Sequence, residues 1–149
     1  MKSIKLFLPL IIAAASGLAM TFQGAINSSL TKRVGLAPMS LVVHFIGFAL
    51  SLAIVLAITG IPRVADFKDT PWWAFSGGIL NVAIIGGVAW AIAQVGATSG
   101  ISAILIGQLT TAVVLDHLGI FTLERIPAGW LRILGIIIML AGARMAIQK

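Results

Sequence analysis

Five side chains that can bind an uncharged solute lie inside the longest apolar stretches of the sequence. Four carry polar groups, Gln23, Asn27, Asn81 and Gln108, and the fifth is the indole of Trp90. A polar group surrounded by hydrocarbon must find a partner inside the protein or face a water-filled cavity. These residues therefore predict a pocket of neutral hydrogen-bonding groups with one aromatic wall, suited to a small-molecule substrate. Amide bridges between neighbouring membrane helices are the alternative.

One acidic residue, Asp116, also lies within an apolar stretch. A carboxylate inside a membrane is costly, which makes Asp116 a candidate proton carrier. Asp116 precedes a polar link by about a turn and a half of helix, and Arg132 follows that link by a similar distance, so a helical hairpin would bring them to the same depth. The other interpretation is a structural ion pair, or extension of the charged groups toward the lipid headgroups.

The side chains that commonly bind metals or perform catalysis do not occur at the spacings typical of metal sites or catalytic sites. His44 and His117 lack a metal-binding companion three or four residues away, and the sequence contains no cysteine. It also lacks a glycine-rich phosphate loop with its lysine and a nucleophile with a spaced base. We therefore expect no enzymatic activity, no metal site and no cofactor.

The composition indicates what surrounds these residues. Of the 149 residues, 60% are hydrophobic and 9% are charged, and the mean hydropathy is +1.13. Such long apolar runs are solvated by a lipid bilayer. The net charge of +6 comes from basic residues near the ends of the runs, where they meet anionic headgroups, so no nucleic-acid partner is expected.

Five apolar segments are long enough to cross a bilayer as helices. A hydrocarbon core of about 30 Å needs roughly 20 helical residues, because a helix satisfies its own backbone groups. We predict an all-α membrane protein with a single transmembrane domain over residues 1–149 and spans at about 6–30, 39–60, 71–95, 99–121 and 127–148. The first span is too long for a signal peptide, so we expect it to be retained.

Small residues recur at helical spacing in two of these spans and predict faces for close helix packing. In the first span they are Ala13, Gly17, Thr21, Gly24 and Ser28, and in the third they are Ala83, Gly87 and Ala91.

The basic residues are divided almost evenly between the two sides of the membrane. With the N-terminus in the cytoplasm, the six cytoplasmic residues are Lys2, Lys5, Arg63, Lys68, Arg125 and Arg132, and the other four are Lys32, Arg33, Arg144 and Lys149. So small a bias does not strongly favour one orientation. Insertion in both orientations, and hence an antiparallel homodimer, is a hypothesis that this distribution supports.

Several short motifs follow one another in a characteristic order along nearly the whole chain. They are Gln23-Gly24-Ala25-Ile26-Asn27 with Leu30, Pro71-Trp72-Trp73 before Gly77-Gly78, Gly107-Gln108-Leu109, Asp116-His117-x-Gly119-x-Phe121, and Glu124-Arg125-x-Pro127 before Arg132, Gly135 and Gly142. In this order and spacing the sequence resembles the drug/metabolite transporter superfamily, and in particular its five-helix YdcZ-like family.

The resemblance implies a fold in which two halves of opposite orientation surround a central substrate cavity, an inverted-repeat arrangement. This chain would supply one half, and a second copy would supply the other as a homodimer. The implied function is secondary transport of a small solute across the bacterial inner membrane by alternating access. A dual-topology ion channel and a membrane accessory subunit without transport activity are the alternatives.

One departure from the resemblance concerns the substrate. The smaller multidrug exporters of the superfamily place a glutamate in the middle of their first helix, where cation and proton compete. This sequence has Gln23 and Asn27 in that helix and no acidic residue. A neutral or zwitterionic metabolite is therefore as plausible a substrate as a hydrophobic cation.

Overall fold

The computed structural model describes residues 2–121 and 123–147, with the backbone alone described for residues 2–6. Within these ranges the chain forms helices and no strand. The α-helices are α1 (Lys2–Val34), α2 (Leu36–Ile58), α3 (Ser76–Val95), α4 (Ala97–Leu118) and α5 (Trp130–Ile147), and two short 3-10 helices cover Val64–Phe67 and Trp72–Phe75. The prediction of an all-α protein is confirmed.

Five helical segments are long and apolar enough to cross a membrane. They are Phe7–Val34, Leu36–Ile58, Trp72–Val95, Ala97–Leu118 and Trp130–Ile147. The prediction of five membrane-spanning helices is therefore confirmed, and the helix ends differ from the predicted bounds by a few residues. The predicted end of the fifth span, residue 148, lies outside the described residues.

The junction of α1 and α2 is shorter than the sequence predicted. α1 continues beyond residue 30, so Lys32 and Arg33 lie in its last turn, where free carbonyl groups favour positive charge. α2 begins ahead of Pro38, because a proline in the first turn removes no helical hydrogen bond. Gly35 alone links the helices, with φ 88° and ψ 164°, a backbone conformation that residues with a Cβ rarely adopt.

The link between α4 and α5 is folded back onto the end of α4. Gly119 ends α4 in the left-handed conformation, with φ 64° and ψ 33°. The amide of Ile126 then donates a hydrogen bond of 2.8 Å to the carbonyl of Asp116, which would otherwise lack a helical partner. Because this return uses the residues around Pro127, α5 starts at Trp130 instead of at the predicted residue 127.

The chain divides into two compact units, Met1–Ala93 and Gln94–Lys149. In the first unit α1 packs on α2, and the buried apolar side chains are Met39, Val88, Ala89 and Ile92. In the second unit α4 packs on α5. The single transmembrane domain stays a prediction.

Gly24 permits a close approach between α1 and α3 in the first unit. A Cβ atom at this position would lie 2.7 Å from Ile92 Cδ1 and 2.9 Å from Val88 Cγ1. The predicted packing role of Gly24 is therefore confirmed. Gly17 and Gly87 differ, because a Cβ atom on either would meet no described atom within 4 Å.

Candidate functional site

A cavity of about 540 Å³ lies among α1, α2 and α3 in the first unit. Its volume is typical of small-molecule binding sites. Four polar side chains contribute to the lining, Gln23 from α1, His44 and Ser51 from α2, and Asn81 from α3. The remaining lining residues are Val43, Gly47, Phe48, Gly78 and Ile85. The cavity therefore combines apolar walls with a few groups that can orient a ligand.

The polar groups of the cavity lie deep within the membrane-spanning helices. At a rise of about 1.5 Å per residue, Gln23 lies about 16 Å before the end of α1, and His44 lies about 12 Å after the start of α2. Because Gly35 alone joins these two helix ends, the end of α1 and the start of α2 lie at almost the same depth in the membrane, and both distances are measured from that depth. Neither residue can therefore be explained as a group at the headgroup level.

The chemistry of the cavity is that of neutral hydrogen-bonding groups. Its lining contains no carboxylate, lysine or arginine. No cluster of three metal-binding side chains was found anywhere in the part of the chain that the structure describes. The side-chain amides and the hydroxyl can each donate and accept hydrogen bonds, so they can recognise a polar solute without a counter-charge.

The imidazole of His44 is held in one orientation by its own helix. Its Nδ1–H donates to the carbonyl of Ser40 at 2.7 Å, and the Ser40 hydroxyl oxygen lies 3.3 Å from the same nitrogen. Because a carbonyl can only accept, the proton of the neutral ring is on Nδ1 and the lone pair is on Nε2. Nε2 is buried and has no hydrogen-bond partner among the described residues.

His44 and Ser51 belong to the cavity lining without having been predicted as site residues. The spacing of the two histidines excluded a metal site and predicted no other role for His44, whereas the structure places this residue in the lining of the cavity. The available signal was its depth, since a histidine in the interior of an apolar helix requires a partner or a function.

Of the five predicted pocket residues, the structure brings Gln23 and Asn81 to this cavity. Asn27, one turn farther along α1, is only 5% exposed and is not among the lining residues. Trp90 is 56% exposed and also lies outside the lining. Gln108 belongs to α4 in the second unit. The binding role of all five residues stays a prediction.

Asp116 and Arg132 lie together in the second unit. Arg132 Nη1 donates to Asp116 Oδ2 at 3.1 Å, and both residues line a cavity of about 410 Å³ between α4 and α5. Two hydrogen bonds hold the intervening link to the end of α4. Arg125 Nε donates to the His117 carbonyl at 3.2 Å, and the Ala128 amide donates to His117 Nδ1 at 3.1 Å. Whether the pair serves coupling or structure stays a prediction.

Comparison with known proteins agrees with this arrangement of apolar helices. A family model of the drug/metabolite transporter group, described as "Putative inner membrane exporter, YdcZ", matches residues 8–145. No curated protein and no solved structure matches the chain. The matched region extends from α1 into α5 and contains every predicted site residue from Gln23 to Arg132. This chain, a multi-pass inner membrane protein, therefore belongs to the YdcZ family of the drug/metabolite transporter superfamily.

Proposed function

We propose that this protein is a secondary transporter that exports a small solute across the bacterial inner membrane. The observation that carries the proposal is the cavity among α1, α2 and α3, where Gln23, Asn81 and two further polar side chains line a space inside otherwise apolar helices. Polar groups at this depth are expensive unless they have a function or a partner. Membership of a family described as exporters supports the same direction of transport.

The proposed substrate is a neutral or zwitterionic metabolite. A cation in this cavity would find no carboxylate in the lining, and an isolated charge in a medium of low polarity is strongly disfavoured. A neutral solute with several hydrogen-bonding groups could instead pair with the side chains of Gln23, Ser51 and Asn81. These groups would fix its orientation while the apolar walls exclude water.

The proposed transporter is an antiparallel homodimer that works by alternating access. Gln23 and Asn81 remain exposed in the single chain, although both lie within membrane-spanning helices. Contact of these amides with lipid would be unfavourable, and a second copy over the open side of the cavity would prevent it. The nearly even distribution of basic residues supports opposite orientations of the two copies. The two copies would then open the cavity alternately to each side of the membrane.

The experiment that tests this function begins with a thermal-shift screen of the purified protein against metabolites and drugs, because a ligand that binds the folded state raises its apparent stability. Transport of the best ligand is then measured in proteoliposomes. We expect saturable flux that Gln23→Ala, Asn81→Ala and Gln108→Ala reduce. Gln94→Ala is the matched control, because this exposed amide lies at the end of α3 and outside the cavity lining.

Three results would contradict the proposal. Normal transport by all three amide variants would show that the polar groups do not bind the substrate. Flux that rises linearly with concentration, without counter-transport, would indicate an ion channel. A purified protein that binds ligands but gives no flux in either direction would indicate an accessory subunit.

A further inference from the structure

We propose that the cavity between α4 and α5 binds a zwitterionic phospholipid, with the lipid phosphate on Arg132 and a primary ammonium group of the headgroup on Asp116. This inference goes beyond the proposed function, because the occupant is a lipid of the surrounding membrane and the transported solute has its own cavity in the first unit. It also has an independent test, because lipid binding can be measured without a substrate.

The cavity has one charged end and one apolar end. Its charged lining residues are Asp116 and Arg132, and its other lining residues are Leu109, Ala112, Val113 and Gly135. At a rise of about 1.5 Å per residue, Leu109 lies about 10 Å from Asp116 along α4, in the direction of the middle of the helix. The space of about 410 Å³ therefore fits an amphiphile, with a charged group at the helix end and hydrocarbon below it.

The charged end lies at the depth of the lipid headgroups. α4 has 22 residues and is therefore about 33 Å long, close to the hydrocarbon core of about 30 Å. Asp116 is two residues before the end of α4 and Arg132 is two residues after the start of α5, so each lies about 3 Å from a helix end. Trp130, the first residue of α5, is 71% exposed, and tryptophan favours the membrane interface.

The ion pair uses only part of the hydrogen-bonding capacity of its two side chains. Arg132 Nη1 donates to Asp116 Oδ2 at 3.1 Å, and this is the one hydrogen bond of either side chain within residues 2–121 and 123–147. A guanidinium group has five N–H donors and a carboxylate has two acceptor oxygens. Because the side chains of Asp116 and Arg132 are 34% and 38% exposed, the unused donors and acceptors are accessible to a ligand.

The charges of the cavity favour a headgroup that carries both signs. A phosphate can accept two parallel hydrogen bonds from the guanidinium of Arg132. An anionic headgroup would stop there, and its phosphate would be repelled by the neighbouring Asp116 carboxylate. In phosphatidylethanolamine the phosphate is followed, two carbon atoms later, by an ammonium group whose N–H can donate to Asp116. Phosphatidylcholine has a cation at this position but no N–H.

The acyl chain accounts for the apolar part of the lining. Gly135 leaves space beside α5, since a Cβ atom there would meet no described atom within 4 Å. An acyl chain joined to a bound headgroup could lie along this space and against Leu109 and Val113. A soluble zwitterion would leave the same surface uncovered, so the headgroup and the chain together should bind more tightly than the headgroup alone.

The test compares three phospholipids that have the same acyl chains and differ in headgroup. The purified full chain is stripped of lipid in detergent and titrated with phosphatidylethanolamine, phosphatidylcholine or phosphatidylglycerol, and bound lipids are counted by native mass spectrometry. We expect one phosphatidylethanolamine per chain at the tightest site. The other two lipids should bind there about tenfold more weakly, which is the loss expected for one hydrogen bond between charged groups.

A pair of double variants tests the role of the charges. Asp116→Asn with Arg132→Gln should bind all three lipids with equal affinity. The matched control is Asp66→Asn with Arg63→Gln, which removes the other ion pair of the described residues, an exposed pair at 3.3 Å in the link between α2 and α3. This control should keep the preference for phosphatidylethanolamine, because neither residue lines the cavity.

A pair of glycine variants tests the apolar part of the cavity without changing a charge. Gly135→Leu should weaken phosphatidylethanolamine binding, because the new side chain would occupy the space of the acyl chain. Gly142→Leu is the control on the same helix, since Gly142 is equally free of neighbouring atoms but lies outside this lining. We expect it to bind lipid as the wild type does.

Four results would overturn the proposal, and two of them need only the wild-type chain. The first is equal binding of the three lipids. The second is a thermal shift with glycerophosphoethanolamine, the headgroup without acyl chains, as large as that with the intact lipid, because the ligand would then be a soluble zwitterion. The third is an unchanged lipid preference in the Asp116 and Arg132 double variant. The fourth is dissociation of a dimer in that variant without any lipid preference in the wild type, which would mean that a second copy covers the cavity.

Discussion

Asp116 and Arg132 illustrate how single charged residues are held within apolar helices. Their atoms lie 3.1 Å apart, and the two side chains are 34% and 38% exposed respectively. A charge next to hydrocarbon is unfavourable, and its pairing with an opposite charge offsets part of that cost. The loss of one partner should therefore be more harmful than the loss of both.

Removal of Arg132 alone tests this expectation. Arg132→Gln should lower the free energy of unfolding in detergent by about 2 kcal/mol, because Asp116 keeps its charge without a partner. The double variant, Asp116→Asn with Arg132→Gln, should recover most of this loss. Losses that simply add would mean that the two side chains are not coupled in the folded protein. A stable double variant without transport would assign the pair to coupling instead of structure.

Part of the cavity lining could be predicted from the sequence, because a polar residue deep within an apolar span is easily recognised. Gln23 and Asn81 stand out because an amide in the middle of an apolar span requires a hydrogen-bonding partner or a function. Depth does not reveal the direction in which a side chain points. The sequence therefore could not show that Asn27 is buried whereas Trp90 is exposed. His44 was not predicted because its partner is a backbone carbonyl of its own helix, and such a hydrogen bond cannot be recognised from the spacing of residue types.

At the scale of helices, the contacts depend on where the small residues allow close approach. Gly24 lies against the side chains of Val88 and Ile92, whereas Gly17, two turns earlier in α1, has open space where a side chain would extend. The same residue type in the same helix therefore has two different environments. This difference provides a matched pair for mutagenesis.

Gly24→Leu should separate α1 from α3 and lower stability by about 1–3 kcal/mol, because the new side chain would occupy the space of Val88 and Ile92. Gly17→Leu should change stability much less, since its side chain meets no protein atom nearby. Unfolding of both variants in the same detergent provides the comparison. Equal effects would show that the two glycines matter for helix bending and not for packing.

The return of the chain after α4 depends on Gly119. A Cβ atom there would lie 3.0 Å from Arg125 Cβ and 3.3 Å from its Cα, in a backbone conformation with positive φ. Gly119→Ala should therefore cost about 1–3 kcal/mol. Gly129→Ala is the control in the same link, because a Cβ atom at Gly129 meets nothing within 4 Å. Thermal unfolding of the two variants would reveal whether the fold of the link requires a glycine.

Helix number and approximate position followed from hydropathy, but helix ends did not. Hydropathy falls at Lys32 and Arg33, whereas backbone hydrogen bonding continues to Val34. The start of α5 was misplaced because contacts of the link with Asp116 and His117 determine it, and these residues are distant in sequence. A hydropathy average depends only on local composition, so it does not detect the hydrogen bonds between the link and α4.

At the scale of the whole molecule, the chain has far more apolar surface than its few buried side chains can cover. Met39, Val88, Ala89 and Ile92 form the buried apolar core of the described residues, whereas most of the large aliphatic and aromatic side chains are exposed. Lipid would cover most of this surface in the membrane. The proposed second copy would cover the part that carries Gln23 and Asn81.

Orientation can be measured with one introduced thiol, because the sequence has no cysteine of its own. Lys68→Cys places this thiol in the exposed link between α2 and α3. A membrane-impermeant thiol reagent applied to intact spheroplasts should label about half of the chains if insertion occurs both ways, since the basic residues set no clear direction. A permeant reagent, which should label all chains, is the control. Complete labelling or no labelling by the impermeant reagent would exclude dual orientation.

The connection of α1 to α2 through Gly35 alone has a consequence for biosynthesis. Because a single residue separates the two helices, we expect them to enter the bilayer together as a helical hairpin. Lys32 and Arg33 lie at the tip of this hairpin, and Lys2 and Lys5 lie near its open end. Two basic side chains therefore lie at the tip and two near the open end, so the membrane potential does not strongly favour either orientation of the hairpin. We expect its final orientation to depend on residues that are translated later.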